Sequence, residues 1–194
     1  MSLLGIDVGT TGCKSVVFNE DGHELASAYR EYVTRAPQPR QAELDAPEVW
    51  ERIKESIAEA VQAAPTSDPV AALSVSSMGE AVVPVDSDGA ILGPSILNVD
   101  TRGEEFVPHI RERISDYELF ELNGNVLANQ YTLPKLMWLK EYAGSAYEQS
   151  AKLLLWGSFV SFKLGAEPCV DYSLANRTLL FDLTRQDWSE RMLE

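Results

Sequence analysis

No run of apolar residues in this chain approaches the ~18 that a membrane span requires. The start shows no basic segment ahead of an apolar stretch, so neither a membrane helix nor a signal peptide is expected. Bases are scarce, with 16 Lys and Arg against 30 Asp and Glu and a formal charge of −14. A nucleic-acid surface needs clustered cations to displace counterions, so nucleic acid is not an expected partner. Cysteine and histidine number two each. Cys13 and Cys169 lie far apart with no C-x-x-C, which suits reduced thiols in a cytoplasm better than a disulfide framework or a zinc site. With only His23 and His109 to add, a metal site made of protein ligands alone is not expected. There is no G-x-x-x-x-G-K-[ST] string, hence no Walker A loop, and no internal repeat, low-complexity tract or flexible linker.

What is present is a globular composition, 45% hydrophobic and 24% charged, long enough at 194 residues for one good core and the beginning of a second domain. Its organising stretch comes first. Leu3, Leu4 and Ile6 form a short apolar run ending in Asp7, residues 15–18 form another, and Gly9-Thr10-Thr11-Gly12 joins them as a turn between adjacent strands. The glycines let the backbone turn tightly and approach a ligand. The turn offers a polyphosphate backbone N–H donors, two hydroxyls and one cation, Lys14. Asp7, at the strand end, could hold Mg2+ through its water shell, because Mg2+ keeps waters and uses few carboxylates. An ordinary hairpin with a polar loop would read the same way on any shorter match.

Further along, Asp21-Gly22 marks a turn and residues 23–33 a third strand, making a three-stranded meander. A loop containing Pro37 and Pro39 leads through acidic residues 41–45 to a helix capped by Asp45 or Ala46, with Pro47 in its first turn. Val49, Ile53, Ile57 and Val61 form its core face, and it ends before Pro65. Residues 70–76 read as a buried strand, so strand, helix and strand fit a crossover in a mostly parallel arrangement. Ser76-Ser77-Met78-Gly79-Glu80 sits where that strand leaves the sheet, the position at which open α/β sheets bind ligands. Residues 82–85 and 91–97 flank Asp86-Ser87-Asp88-Gly89 as a hairpin. Residues 102–114 have helical composition, which would make Asp100 a helix cap. A short helix over 116–122 precedes a turn at 123–125. Leu133, Leu136, Met137 and Lys140 have i, i+3, i+4, i+7 spacing, with the three apolar residues packing inward. Residues 152–155 lead into a helix over 156–164 that ends near Gly165. Residues 179–182 read as a strand, and 188–193 begin a helix.

The string from Leu3 to Gly22 resembles the first phosphate motif of the actin-like ATPase superfamily, within it most closely the FGGY carbohydrate kinases. Three later segments are similar to that family. They are the strand-end motif with Asn98-Val99-Asp100-Thr101-Arg102 in place of W-x-D-x-R, the K-x-x-W helix at Lys135 and Trp138, and Asp171-Tyr172-Ser173-Leu174-Ala175-Asn176-Arg177-Thr178 for D-x-S-x-A-S-x-T. The resemblance implies an α/β, ribonuclease H-like (actin-like ATPase) domain with a mixed β-sheet flanked by helices. It implies ATP and Mg2+ as cofactors, with Asp7 at the metal and Thr10, Thr11, Gly12 and Lys14 at the phosphates. It also implies a sugar or polyol substrate held by Glu80, Asp100, Arg102 and Gln130. Asn98 stands where the family has tryptophan, and an amide cannot stack on a sugar's C–H face, so the sugar is not named by the match.

The resemblance runs from Leu3 to the last helix but covers only the front of such a kinase. Residues 1–194 are therefore expected to be an incomplete N-terminal domain, with the C-terminal ATP-binding domain as a missing partner. The catalytic aspartate, the base that takes the proton of the attacking hydroxyl, would lie beyond Glu194. An incomplete domain would expose apolar surface through which it could form a homo-oligomer. The other readings are a non-catalytic sugar-binding remnant and a different ATPase of the actin-like superfamily. Phosphoryl transfer depends on positioning and charge stabilisation, so this chain alone should show no sugar-dependent ADP release in a coupled assay. Sugar-dependent turnover would contradict that expectation.

Overall fold

Strand β1 (Ser2–Val8) alternates buried Leu4, Ile6 and Val8 with exposed Leu3 and Asp7, the period of a strand covered on one face. In the computed structural model, which describes residues 1–65 and 67–194, β1 pairs antiparallel with β2 (Gly12–Phe18). β2 pairs antiparallel with β3 (Glu24–Glu31), completing the expected meander. β3 stops short of residue 33 because Tyr32 and Thr34 turn toward the Gly9–Gly12 loop. After the two-residue strand β4 (Glu43–Leu44), helix α1 (Ala46–Ala63) begins at Asp45, whose carboxylate accepts the Glu48 amide at 2.9 Å. Strand β5 (Val70–Ser77) then joins β1 in parallel, giving the order β3-β2-β1-β5. Only β2 runs against the others, so the sheet is mixed. α1 packs on the face that carries Leu4, Ile6, Val8 and Val17.

Two expectations change here. Val61 is 41% exposed and Ala60 is buried instead. Residues four apart gain about 40° per step on a helix of 3.6 residues per turn, so the line from Val49 to Val61 rotates off the core. β5 is not a buried strand. Residues 71–74 are exposed, because β5 forms the edge of the sheet and has β1 on one side only.

The hairpin expected over 82–97 barely starts. β6 (Val82–Val85) and Ile91 share one bridge and the Leu92 amide donates to the Pro84 carbonyl at 3.0 Å. Pro94 has no N–H with which to extend that ladder, and β7 (Ser95–Ile96) pairs with β4 instead.

A 3-10 turn (Glu104–Phe106) opens the helical half: α2 (Val107–Arg113), α3 (Asp116–Asn123), α4 (Thr132–Tyr142) and α5 (Gly144–Gln149). Ser115 and Glu118 form a reciprocal capping box on α3, and Gly124, at φ 73°, ends it. β8 (Lys152–Leu155) returns to pair with β6, and α6 (Trp156–Lys163) follows directly. Next come α7 (Tyr172–Asn176), capped by Asp171, then β9 (Phe181–Asp182), β10 (Asp187–Trp188) and α8 (Glu190–Leu193).

One apolar core lies between the sheet, α1 and α6. A second gathers Ile110, Ile114, Leu119, Leu127, Leu179 and Met192. The face of α4 expected to pack inward is only partly buried: Leu133, Leu136 and Met137 sit against the second core, whereas Thr132, Pro134, Lys135 and Leu139 are the buried positions. Ile53 is fully buried, so Ile53→Ala should lower unfolding stability in urea by about 2–5 kcal/mol. Val61→Ala should change it by less than about 0.5 kcal/mol, as surface substitutions do.

Candidate functional site

Because β1 and β5 are parallel, their carboxyl ends lie side by side. Asp7 stands opposite Lys14 on β2 and Ser76 on β5, and Lys14 stands opposite Tyr29 on β3, so these four form a row across the uncovered face of the sheet. The Met78 amide donates to the Val8 carbonyl at 2.8 Å. That bond keeps the two chains together past their strands and brings the Gly9–Gly12 turn beside Ser77–Glu80.

The turn is tight, but not because of left-handed backbone; neither Gly9 nor Gly12 has positive φ. Gly12 is needed for space: a Cβ there would come within 2.8 Å of the Arg30 carbonyl and still closer to the Tyr29 ring. Among the described residues the amides of Thr10 and Thr11 donate to no acceptor, and the Asp7 carboxylate pairs with no cation and accepts no hydrogen bond. No group of three or more metal-ligating side chains occurs among the described residues. A lone free carboxylate beside exposed amides and Lys14 fits a hydrated Mg2+ bound jointly with phosphate oxygens, and fits a closed protein cage poorly.

At the other strand end, Glu80 is 5% exposed and holds φ at 62°, a conformation that is costly outside glycine. Two contacts hold it there. The Thr132 hydroxyl donates to its carbonyl at 2.7 Å, and Arg177 Nε donates to Oε1 at 2.5 Å, with Nη2 of the same guanidinium on that oxygen too. The guanidinium stacks 4.6 Å from the centre of the Tyr131 ring. The arrangement presents one carboxylate oxygen and the outer N–H groups of Arg177 together, an acceptor and donors side by side. Gln130, just before α4, is exposed and next to Tyr131.

Asp100 and Arg102 are brought together, but with each other. Asp100 is 1% exposed, and its carboxylate takes the Ala42 amide at 2.6 Å, the Arg102 amide at 2.7 Å and Arg102 Nη2 at 2.7 Å. It is thus no helix cap; the backbone bonds close a local turn. Arg102 also pairs with Glu43 at 2.7 Å and lies 5.1 Å from the centre of the Trp138 ring. Lys135, 2% exposed, donates to the carbonyls of Asp100 (2.6 Å) and Arg102 (2.8 Å). Burial alone would raise the Asp100 carboxyl, but Arg102 and the two amides outweigh it and hold the group below the usual carboxylate value. Burial pushes the Lys135 ammonium down to about 8, with the Asp100 charge opposing. α4 is the strut common to both groups, through Thr132 to Glu80 and through Lys135 to residues 100–102.

Sequence reasoning missed Arg177, Tyr131, Thr132 and the burial of Lys135. Arg177 was visible only as a variable place in the 171–178 run, 97 residues from the carboxylate it meets. A groove of about 860 Å³, lined by Ile110, Leu136, Met137 and Met192 among others, lies in the second core away from these groups and carries none of the candidate residues.

Comparison with known proteins agrees with this geometry. Residues 2–194 match the family described as the FGGY family of carbohydrate kinases, N-terminal domain. The xylulose kinase of Staphylococcus xylosus is 29% identical over 191 residues, covering 98% of this chain and 39% of that protein. The glycerol kinase of Thermococcus onnurineus is 29% identical over 199 residues, covering 99% and 40%. The crystal structure of the xylulose kinase from Rhodospirillum rubrum superposes with a TM-score of 0.93 at 25% identity, covering all of this chain and 40% of that one. The chain thus spans about two fifths of the length of the relatives it matches.

Lys135→Met should leave the buried Arg102 carbonyl without a donor and the Asp100 carbonyl with the Asn129 amide alone, lowering stability by about 1–3 kcal/mol at pH 7. The folded chain releases the Lys135 proton near 8 and the unfolded chain only near 10.5, so between those values the unfolded state binds more protons. This lysine's contribution to stability therefore rises with pH across that window. In urea titrations from pH 7 to 10.5, wild type should gain on Lys135→Met; a constant difference would contradict the assignment.

Proposed function

Because the chain belongs to the FGGY family of carbohydrate kinases, we propose that it carries the substrate-holding side, and part of the phosphate-holding side, of an ATP-dependent sugar or polyol kinase. One observation carries the reading: a turn with free amides and an acceptor–donor pair stand at adjoining ends of parallel strands. The reaction is transfer of the ATP γ-phosphoryl group to a hydroxyl of a sugar or polyol.

In this reading the Thr10 and Thr11 amides, the turn at Gly12 and Lys14 take phosphate oxygens. Asp7 orients waters of the Mg2+, which would neutralise charge on the transferring group. Glu80 accepts a substrate hydroxyl proton in a hydrogen bond while Arg177 donates to the neighbouring oxygen, a match for a vicinal diol. Gln130 lies at the rim, able to add a further contact. Asp100 and Arg102 act from behind, holding the 98–102 loop and α4 in place. The general base and the adenosine contacts are assigned to the remainder of a longer protein, consistent with the two-fifths coverage of the relatives. Closing such a second half over the site would exclude water and limit hydrolysis. We place the reaction in the cytoplasm, in keeping with two free thiols.

Titration calorimetry of this chain with a panel of pentoses, hexoses and polyols, without nucleotide, tests the reading. At least one member should bind saturably, and Glu80→Gln should weaken it about tenfold or more, the loss of a charge-assisted bond. No binding across the panel, or binding indifferent to Glu80→Gln, would overturn the substrate assignment.

A further inference from the structure

The Gly9–Gly12 turn has four carbonyl oxygens, and each is held from the same side. The Tyr32 hydroxyl lies 2.6 Å from the Gly9 oxygen and 3.0 Å from the Gly12 oxygen. The Tyr32 amide donates to the Thr11 oxygen at 3.2 Å, and the Thr34 hydroxyl donates to the Thr10 oxygen at 3.2 Å. The Gly12 oxygen also accepts the Gly9 amide at 2.9 Å. Among the described residues no peptide bond is cis. In a trans peptide, C=O and N–H point in opposite directions, so a carbonyl fixed inward fixes the following amide outward. Holding Gly9 O aims the Thr10 amide, and holding Thr10 O aims the Thr11 amide. These are the amides of the turn for which no acceptor is found among the described residues.

We propose that Tyr32 and Thr34 are positioning residues that pre-set the turn, holding its carbonyls inward so that the Thr10 and Thr11 amides face a polyphosphate before it arrives. The proposal rests on reading the turn as a phosphate loop. Its physical content is separate: without the clamp, a peptide could flip and present a carbonyl oxygen, which repels an anion. Tyr32 is suited to the task. It is 5% exposed, and burial pushes its phenol further above its ordinary value, so it is a proton donor at every working pH. The side-chain hydrogen bonds of both residues go to carbonyls of the turn and not to Asp7 or Lys14, so both act through the backbone they hold.

The test uses the 15N-labelled chain with Tyr32→Phe, Thr34→Val and Thr34→Ser. Without ligand, relaxation order parameters at Thr10 and Thr11 should be those of rigid backbone in wild type and Thr34→Ser. They should fall below about 0.6 in Tyr32→Phe, with the β1 and β2 amides unchanged. A turn as rigid in Tyr32→Phe as in wild type overturns the clamp. Titration with Mg2+ and inorganic tripolyphosphate should then shift the Thr10 and Thr11 amides of wild type. The apparent Kd should rise about tenfold in Tyr32→Phe, less in Thr34→Val, and not at all in Thr34→Ser. If wild type shows no shift, the phosphate-loop reading fails, while the relaxation arm still decides the clamp. Equal affinity in wild type and Tyr32→Phe rejects the proposal that the clamp prepares the site.

Discussion

The ion pair between Asp100 and Arg102 is the interaction on which the arrangement of the site depends. Two charges are taken out of water here, a step that is unfavourable unless every remaining valence is met. Their side-chain valences are met by the Ala42 amide and Glu43 before α1 and by the Arg102 amide, while Lys135 from α4 donates to the main-chain carbonyls of the same two residues. Asn129 adds its amide to the Asp100 carbonyl at 2.9 Å. Each of these segments would lose a buried partner if the pair were disrupted. The pair therefore fixes where α4 sits against the 98–102 loop, and the first turn of α4 in turn supports Glu80 through Thr132. A family resemblance that assigns Asp100 to substrate and a structure that buries it are reconciled by that route: the carboxylate shapes the site through its neighbours.

The sheet supplies the second constraint. Parallel pairing of β1 and β5 puts two strand ends at one level, and each end leads into a segment stripped of ordinary backbone partners or ordinary backbone conformation. At the end of β1, amides are free. At the end of β5, Glu80 adopts left-handed φ and is held by Thr132 and Arg177. Strain and unmet donors of this kind need support from their surroundings, and both are found at the same end of the sheet, past the carboxyl ends of β1 and β5.

Much of the fold was legible because the signals are local. The short apolar run ending in Asp7, the Asp45 cap followed by Pro47, and the turn at 123–125 after the helix over 116–122 each act within a few residues, and each element appeared. The pairing of β6 with β8 was not legible: its partners are some 70 residues apart, and the nearer candidate strand was ruled out by a proline. Val61 misled because a four-residue repeat drifts on a helix. Lys135 misled because a lysine in an amphipathic helix ordinarily marks the solvent face, whereas here its ammonium serves two carbonyls that the Asp100–Arg102 turn leaves bare. For the site, Asp7, Thr10, Thr11, Lys14 and Glu80 could be named from motif and strand position. Arg177 and Tyr32 could not, since their function lies in contacts made across the fold.

In the proposed site the β1 turn takes a metal-bound polyphosphate beside the substrate-holding end of β5. Replacing Mg2+ with Mn2+ tests it most directly, because a paramagnetic ion broadens nearby amides. With tripolyphosphate present, broadening should be confined to residues 7–14 and 76–80 and should vanish in Asp7→Asn. Broadening spread over the acidic surface, or centred on the groove of the second core and unaffected by Asp7→Asn, would contradict the account.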